Sequence, residues 1–200
     1  MSKQIDIILI LDESGSMQSM GNEPVEAVNS FIEEQQALKD NSTFTLYTFS
    51  SKVRVKINDK PLCDISPLKY EDYRPSNTTA LYDAIGQAID AKRESANNKN
   101  VIMVILTDGY ENSSTDYNRN QIKNMITEME KSYDWKFIYL GANQDVFAVG
   151  DGIGVNHKTC GYFECTPTGL ATACKMASSS IAKYKTSLSD DNTVDLDLTT

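Results

Sequence analysis

Apolar runs and amphipathic stretches alternate along this chain. Residues 5–11 (IDIILIL) and 101–106 (VIMVIL) are nearly continuous apolar segments, the right length for strands buried on both faces. Residues 135–140 and 43–49 predict two further strands. Val53, Val55 and Ile57 alternate with Arg54 and Lys56, the pattern of a half-exposed strand at a sheet edge. The short Ser50-Ser51 link makes 43–49 and 53–57 an antiparallel hairpin. Between these runs the spacing turns helical. Val25, Val28, Ile32 and Leu38 form one stripe from Pro24 to Leu38, with Pro24 suited to a first turn that needs no N–H donor. Leu81, Ala84, Ile85, Ala88 and Ile89 predict a helix over 80–95, and Ile122, Met125, Ile126 and Met129 one over 117–132. A short helix over 143–149 is expected to end at Gly150, Gly152 and Gly154. A short sixth strand is expected within 155–163. The closing helix has Thr166 as N-cap, Pro167 at its first position and the stripe Leu170, Ala173, Cys174, Ala177, Ile181 and Tyr184. Residues 59–77, with Pro61, Pro67 and Pro75, read as a long connection.

Strands alternating with helices specify an α/β fold: a mostly parallel, doubly wound, Rossmann-like sheet of six strands covered on both faces. The order 3-2-1-4-5-6, with strand 3 the antiparallel edge, sets strands one and four side by side. The crevice at their carboxyl ends is the topological switch point, where such sheets bind ligands. Residues 1–186 are read as one domain. Residues 187–200 hold Asp190, Asp191, Asp195 and Asp197 and no base, and are expected to be a disordered acidic tail.

Chemistry collects at that crevice. Asp12-Glu13-Ser14-Gly15-Ser16 follows the first apolar run and offers one carboxylate and two hydroxyls. All are hard oxygen donors, suited to Mg²⁺ or Mn²⁺. A metal held largely by neutral hydroxyls and water keeps enough charge to attract a carboxylate from outside. The second apolar run ends in Thr107-Asp108-Gly109, and Asn77-Thr78-Thr79-Ala80-Leu81-Tyr82-Asp83 opens a helix.

Together these three segments resemble the von Willebrand factor A domain and its metal-ion-dependent adhesion site. The resemblance covers nearly the whole chain. Residues 137–145 (FIYLGANQD) look like the fifth strand and following turn of stand-alone prokaryotic and phage members. It implies metal ligation by Asp12, Ser14, Ser16, Thr79 and Asp108, the hydroxyls directly and the two aspartates through water. Mg²⁺ is the expected ion, with Mn²⁺ or Ca²⁺ as alternatives. The implied function is non-enzymatic capture of an Asp or Glu from a partner protein, as an adaptor in a prokaryotic or phage complex. Ser76-Asn77-Thr78 stands where the family often has glycines; Asn tolerates the left-handed backbone such a loop needs.

Composition narrows the alternatives. The net charge is −9, with 28 acidic against 19 basic residues, which argues against nucleic-acid binding. The first apolar run is broken by Asp6 and followed by Asp12-Glu13, so no secretory signal or membrane helix is expected, and a cytoplasmic placement with reduced thiols follows. A Mg²⁺-dependent phosphohydrolase of haloacid-dehalogenase type would want a second acid two residues after Asp12, where Ser14 stands. His157, Cys160, Cys165 and Cys174 lack the paired short spacings of a structural zinc site, and Cys63 reads as a small buried hydrophobe. Tyr70, Tyr73, Tyr82 and Tyr110 flank the motif loops and are candidates for a partner-facing rim. Self-association as a homo-oligomer is a further alternative, as is a tail aspartate entering the metal site.

Overall fold

The computed structural model describes residues 4–93, 100–142, 145–189 and 195–198. Its elements, in chain order, are β1 (Ile5–Asp12), α1 (Glu23–Gln36), β2 (Thr43–Phe49), β3 (Val53–Pro61), α2 (Leu81–Arg93), β4 (Asn100–Thr107), α3 (Arg119–Tyr133), β5 (Lys136–Gly141), α4 (Val146–Ile153), β6 (Cys160–Tyr162) and α5 (Pro167–Ser189). Among the described residues the sheet runs β3-β2-β1-β4-β5-β6, with β3 antiparallel to β2 and every other pairing parallel. This is the doubly wound order expected for these elements.

Side-chain alternation along each strand divides the core in two. Ile7, Leu9 and Leu11 of β1 face α1 and α5, where Val28, Phe31, Ala177 and Ile181 are buried. Ile8 and Ile10 face α2 and α3, against Ile85, Ile89, Ile122 and Ile126. Because both faces are covered, β1 and β4 are buried along almost their whole length, which is why neither shows polar alternation in sequence. Asp6, the one acid inside the β1 run, accepts a hydrogen bond from the Thr43 hydroxyl.

Several expected boundaries shift, each for a local reason. Helix α1 ends at Gln36, so Leu38 lies beyond it and is exposed instead of completing the stripe. β3 continues to Pro61, shortening the long connection. Gly150 and Gly152 do not end α4; they sit inside it, and Gly154, at φ 92°, is the C-cap. Their use is close packing. A Cβ on Gly150 would lie 2.3 Å from Cys160 Sγ, and one on Gly152 would meet the Arg119 guanidinium. The expected start of that helix at 143 lies outside the described residues, as does the expected end of α2 at Ser95.

Helix α5 runs on to Ser189, and residues 195–198 are packed against the domain, with Leu196 and Leu198 buried. Asp195 and Asp197 pair with Lys136 and Lys158, at the amino-terminal ends of β5 and β6. That is the opposite end of the sheet from Asp12 and Asp108, so neither aspartate enters the metal-motif crevice.

Helix α2 meets the segment leading into α3 at Gly86, where a Cβ would stand 2.5 Å from Tyr117 Cγ. The ring is held there by a hydrogen bond from its hydroxyl to Asp90, 2.7 Å. Gly86→Ala should therefore destabilise the fold by about 1–2 kcal/mol, overpacking outweighing the gain in helix propensity of about 1 kcal/mol. Urea unfolding checks this, and adding Tyr117→Leu should recover most of the loss.

Candidate metal centre

Strands β1 and β4 pair in parallel register, Leu11 opposite Leu106, and end together. Their next residues are therefore neighbours although they are far apart in sequence. Asp12, at the end of β1, is fully buried. Its Oδ1 accepts the Ser14 N–H at 2.7 Å, and its Oδ2 accepts the Thr107 hydroxyl at 2.6 Å. The Ser14 and Ser16 hydroxyl oxygens are 3.0 Å apart, and Ser16 Oγ donates to Asp108 Oδ1 at 2.5 Å. The Thr79 hydroxyl reaches the same place: a Cβ on Gly109 would lie 3.3 Å from Thr79 Oγ1 and 3.4 Å from Ser16 Oγ. All five residues singled out in the sequence thus converge on one point. Thr79 is buried and turned inward, whereas Thr78 is exposed.

The loops that bring them together are held by hydrogen bonds between one another. Gly15 N–H donates to the Asn77 carbonyl and Ser76 N–H to the Glu13 carbonyl, both at 3.0 Å. Asn77 has φ 64°, the left-handed conformation that this loop requires and that Asn accepts in place of glycine. Asn112 binds Thr79 twice, its N–H to the Thr79 carbonyl at 3.0 Å and its Oδ1 from the Thr79 N–H at 2.9 Å.

Several supporting contacts escaped the sequence reading, although it places Tyr73 and Glu111 beside the motif loops. Glu13 turns inward and accepts the Arg74 N–H at 2.6 Å, with Arg54 beside it at 3.4 Å. Tyr73, one of the rim candidates, is buried, and its hydroxyl donates to the Asp12 carbonyl at 2.6 Å. Burial and the nearby Asp12, Glu13 and Asp108 push that phenol well above its ordinary range. Glu111 accepts N–H groups from Tyr82, Ser113 and Ser114, fixing the loop after Asp108 to the start of α2. None of these contacts follows from a local pattern; each joins segments separated in sequence or depends on the turn that a loop takes. Tyr70 and Tyr110 are exposed and Tyr82 is half-buried.

Electrostatics tests whether a cation fits. Burial raises the Asp12 carboxyl to about 6; the Asp108 charge adds to the rise, while hydrogen bonds from Thr107 and Ser14 oppose it. Asp108 is also raised, mainly by burial. Two desolvated acids held close to each other, with three hydroxyls, make an all-oxygen set whose charge a hard divalent ion would offset. The donor chemistry fits. Among the described residues no group of three His, Cys, Asp or Glu side chains could hold a metal, so a cation here would need the hydroxyls as well as the two acids.

The four residues considered for zinc are dispersed. His157 stacks on Phe147 at 4.2 Å, Cys160 packs under α4, and Cys174 is buried between α1 and α5. Cys165 alone approaches the crevice, its Sγ 3.6 Å from Asp108 Oδ2. Cys63 is exposed, contrary to the buried position expected of it.

A doubly wound α/β domain with an oxygen-donor cluster at its switch point defines a class. The model of the von Willebrand factor type A domain matches residues 6–165, and the chain belongs to that family. No curated protein matches it by sequence. Its fold is similar to that of a D319A mutant of the PilB minor pilin from Streptococcus sanguinis, with TM-score 0.70 and 15% identity over 94% of this chain and 63% of that one. It is also similar to the vWF domain of the type V pili tip protein Mfa5 from Porphyromonas gingivalis, with TM-score 0.64 and 12% identity over 92% and 96%. A third similar structure is proximal thread matrix protein 1 from the mussel byssus with a zinc-occupied MIDAS motif, with TM-score 0.56 and 13% identity over 86% and 46%. The chain spans less than two thirds of the pilin and about half of the mussel protein. At these identities the likeness is one of fold.

The raised Asp12 carboxyl sets a pH dependence. Without metal, its contribution to stability is full below its ordinary value of 3.8 and is lost as pH rises through about 6. Metal binds the ionised form, so its stabilisation runs the other way. Mg²⁺ at about 100 times its Kd should stabilise the domain by about 2.7 kcal/mol at pH 7.5. The gain should be much smaller at pH 5 and absent in Asp12→Asn. Thermal unfolding with and without EDTA checks all three.

Proposed function

We propose that this chain is a non-enzymatic, metal-dependent protein-binding module. In this reading Asp12, Ser14, Ser16, Thr79 and Asp108 form a metal-ion-dependent adhesion site for Mg²⁺, with Mn²⁺ or Ca²⁺ as alternatives. The bound ion supplies a positive charge that draws a carboxylate from a partner's Asp or Glu. The observation that carries the reading is the convergence of two buried acids and three hydroxyls at the carboxyl ends of β1 and β4. Ser16 is exposed, which gives an incoming group one open side. Exposed Tyr110 stands two residues after Asp108 and is suited to partner contact, since Tyr is enriched at interfaces.

The chain's own residues do the preparatory work. Thr107 and the Ser14 amide hold the Asp12 carboxylate, and Ser16 holds that of Asp108. Asn112 fixes the Thr79 backbone. The role is that of an adaptor in a prokaryotic or phage complex, where an acidic residue of another subunit completes the site. Four free thiols support a reducing, cytoplasmic setting. Catalysis is not part of the reading, because Ser14 occupies the position where a phosphohydrolase of aspartate type needs an acid.

Affinity capture from native host lysate tests this. Wild type in Mg²⁺ should retain a partner that wild type in EDTA and Asp12→Ala both lose. Replacing the partner's bridging Asp or Glu by Asn or Gln should abolish retention as well. Equal retention in all samples would overturn the metal-bridged mechanism.

A further inference from the structure

A second binding feature lies at the other end of the sheet, built around the segment Asp195–Leu198. Two of its side chains, Leu196 and Leu198, are 4% and 8% exposed and join the core layer shared with α5. Leu198 N–H donates to the Lys158 carbonyl at 2.9 Å, and Ser180 Oγ of α5 donates to the Asp197 carbonyl at 2.9 Å. Lys136 lies 3.5 Å from Asp195 and Lys158 lies 3.8 Å from Asp197.

The receiving surface is shaped for this occupant. A Cβ on Gly161 of β6 would stand 2.9 Å from Leu140 Cδ2 and Met176 Cε, and 3.3 Å from Leu198 Cδ1. Gly161 therefore leaves the space in which the Leu198 side chain is seated. Beside the segment is a cleft of about 330 Å³, lined also by Trp135, Lys136, Asn156 and Lys158. Trp135 is fully buried, and among the described residues its indole N–H has no acceptor. Apolar seats for the two leucines, a backbone carbonyl and a hydroxyl for the main chain, and a lysine near each acid, Lys136 being shared with Asp134 at 3.0 Å, together match an alternating pattern.

We propose that this groove is a peptide-binding site, separate from the metal centre, that takes an extended acid-Leu-acid-Leu segment. The chain's own Asp195–Leu198 is its resident occupant, and a partner segment of the same chemistry competes with it. The buried leucines carry the affinity; the ion pairs, with Asp195 almost fully exposed, set register more than strength. Tethering gives the resident segment a high effective concentration, so the groove opens only to a competitor that is concentrated or better matched.

The test uses the whole chain and a labelled synthetic peptide of residues 193–200. Fluorescence polarisation should show saturable binding to the Leu196→Asp/Leu198→Asp chain, at least tenfold tighter than to wild type. A peptide carrying Leu198→Asp should bind at least tenfold more weakly. EDTA should change none of these affinities, which separates this site from the metal centre. Four results would each overturn the proposal: no binding to the double variant, equal binding to both chains, indifference to the Leu198 change, or loss of binding in EDTA. Should the double variant fail to fold by circular dichroism, hydrogen exchange on wild type decides. Protection of the Leu198 amide by tenfold or more supports the groove, and exchange at the free-peptide rate overturns it.

Discussion

Parallel pairing of β1 with β4 is the contact on which the rest of this molecule depends. Each strand is followed by a segment that turns away in a different direction, so a crevice opens between them. Asp12 and Asp108 come from those two strand ends, and the Thr107 hydroxyl bridges them by donating to Asp12 across the seam. A shift of one residue along β1 would exchange the two faces of its side chains. Asp12 would then leave the crevice, and Ile7, Leu9 and Leu11 would lose the layer formed with α1 and α5. The packing of the core and the position of the site are one constraint.

The sheet was legible because its strands are buried on both faces. Continuous runs such as 101–106 admit few other readings, alternation with helices makes the sheet doubly wound, and its strand order is one of the common ones for that class. The juxtaposition of Asp12, Ser14, Ser16, Thr79 and Asp108 was legible as well, since they stand at the ends of recognisable elements. What the sequence hid depended on long-range contact. Gly150 and Gly152 look like helix breakers, and only the approach of Cys160 and Arg119 explains them inside a helix. Asp-Leu-Asp-Leu looks like solvated tail by composition, because two leucines are too few to announce a buried segment without knowledge of Gly161 opposite them. Tyr73 and Glu13 look exposed until the connection folds back over β1.

This acidic chain spends many of its carboxylates on its own backbone. Glu13 receives the Arg74 N–H, Glu111 receives three amides, and Asp83 receives those of Thr115, Asp116 and Tyr117. Such charge-assisted bonds are stronger than neutral ones. They hold loops that have no strand or helix of their own, and they do so around the crevice. Net charge is therefore a poor guide to the local field: much of the negative charge near the site is directed at amide groups instead of solvent.

The lacing of the three site loops bears on what the proposed metal site would ask of an ion. Gly15 to Asn77 and Ser76 to Glu13 tie the first loop to the second, and Asn112 to Thr79 ties the second to the third. Loops tied in this way move together. An ion at the site would therefore have to suit hydroxyls whose backbones are already joined. Bonds of about 2.0–2.1 Å to a small cation and of about 2.3–2.6 Å to a larger one would ask different displacements of that joined backbone.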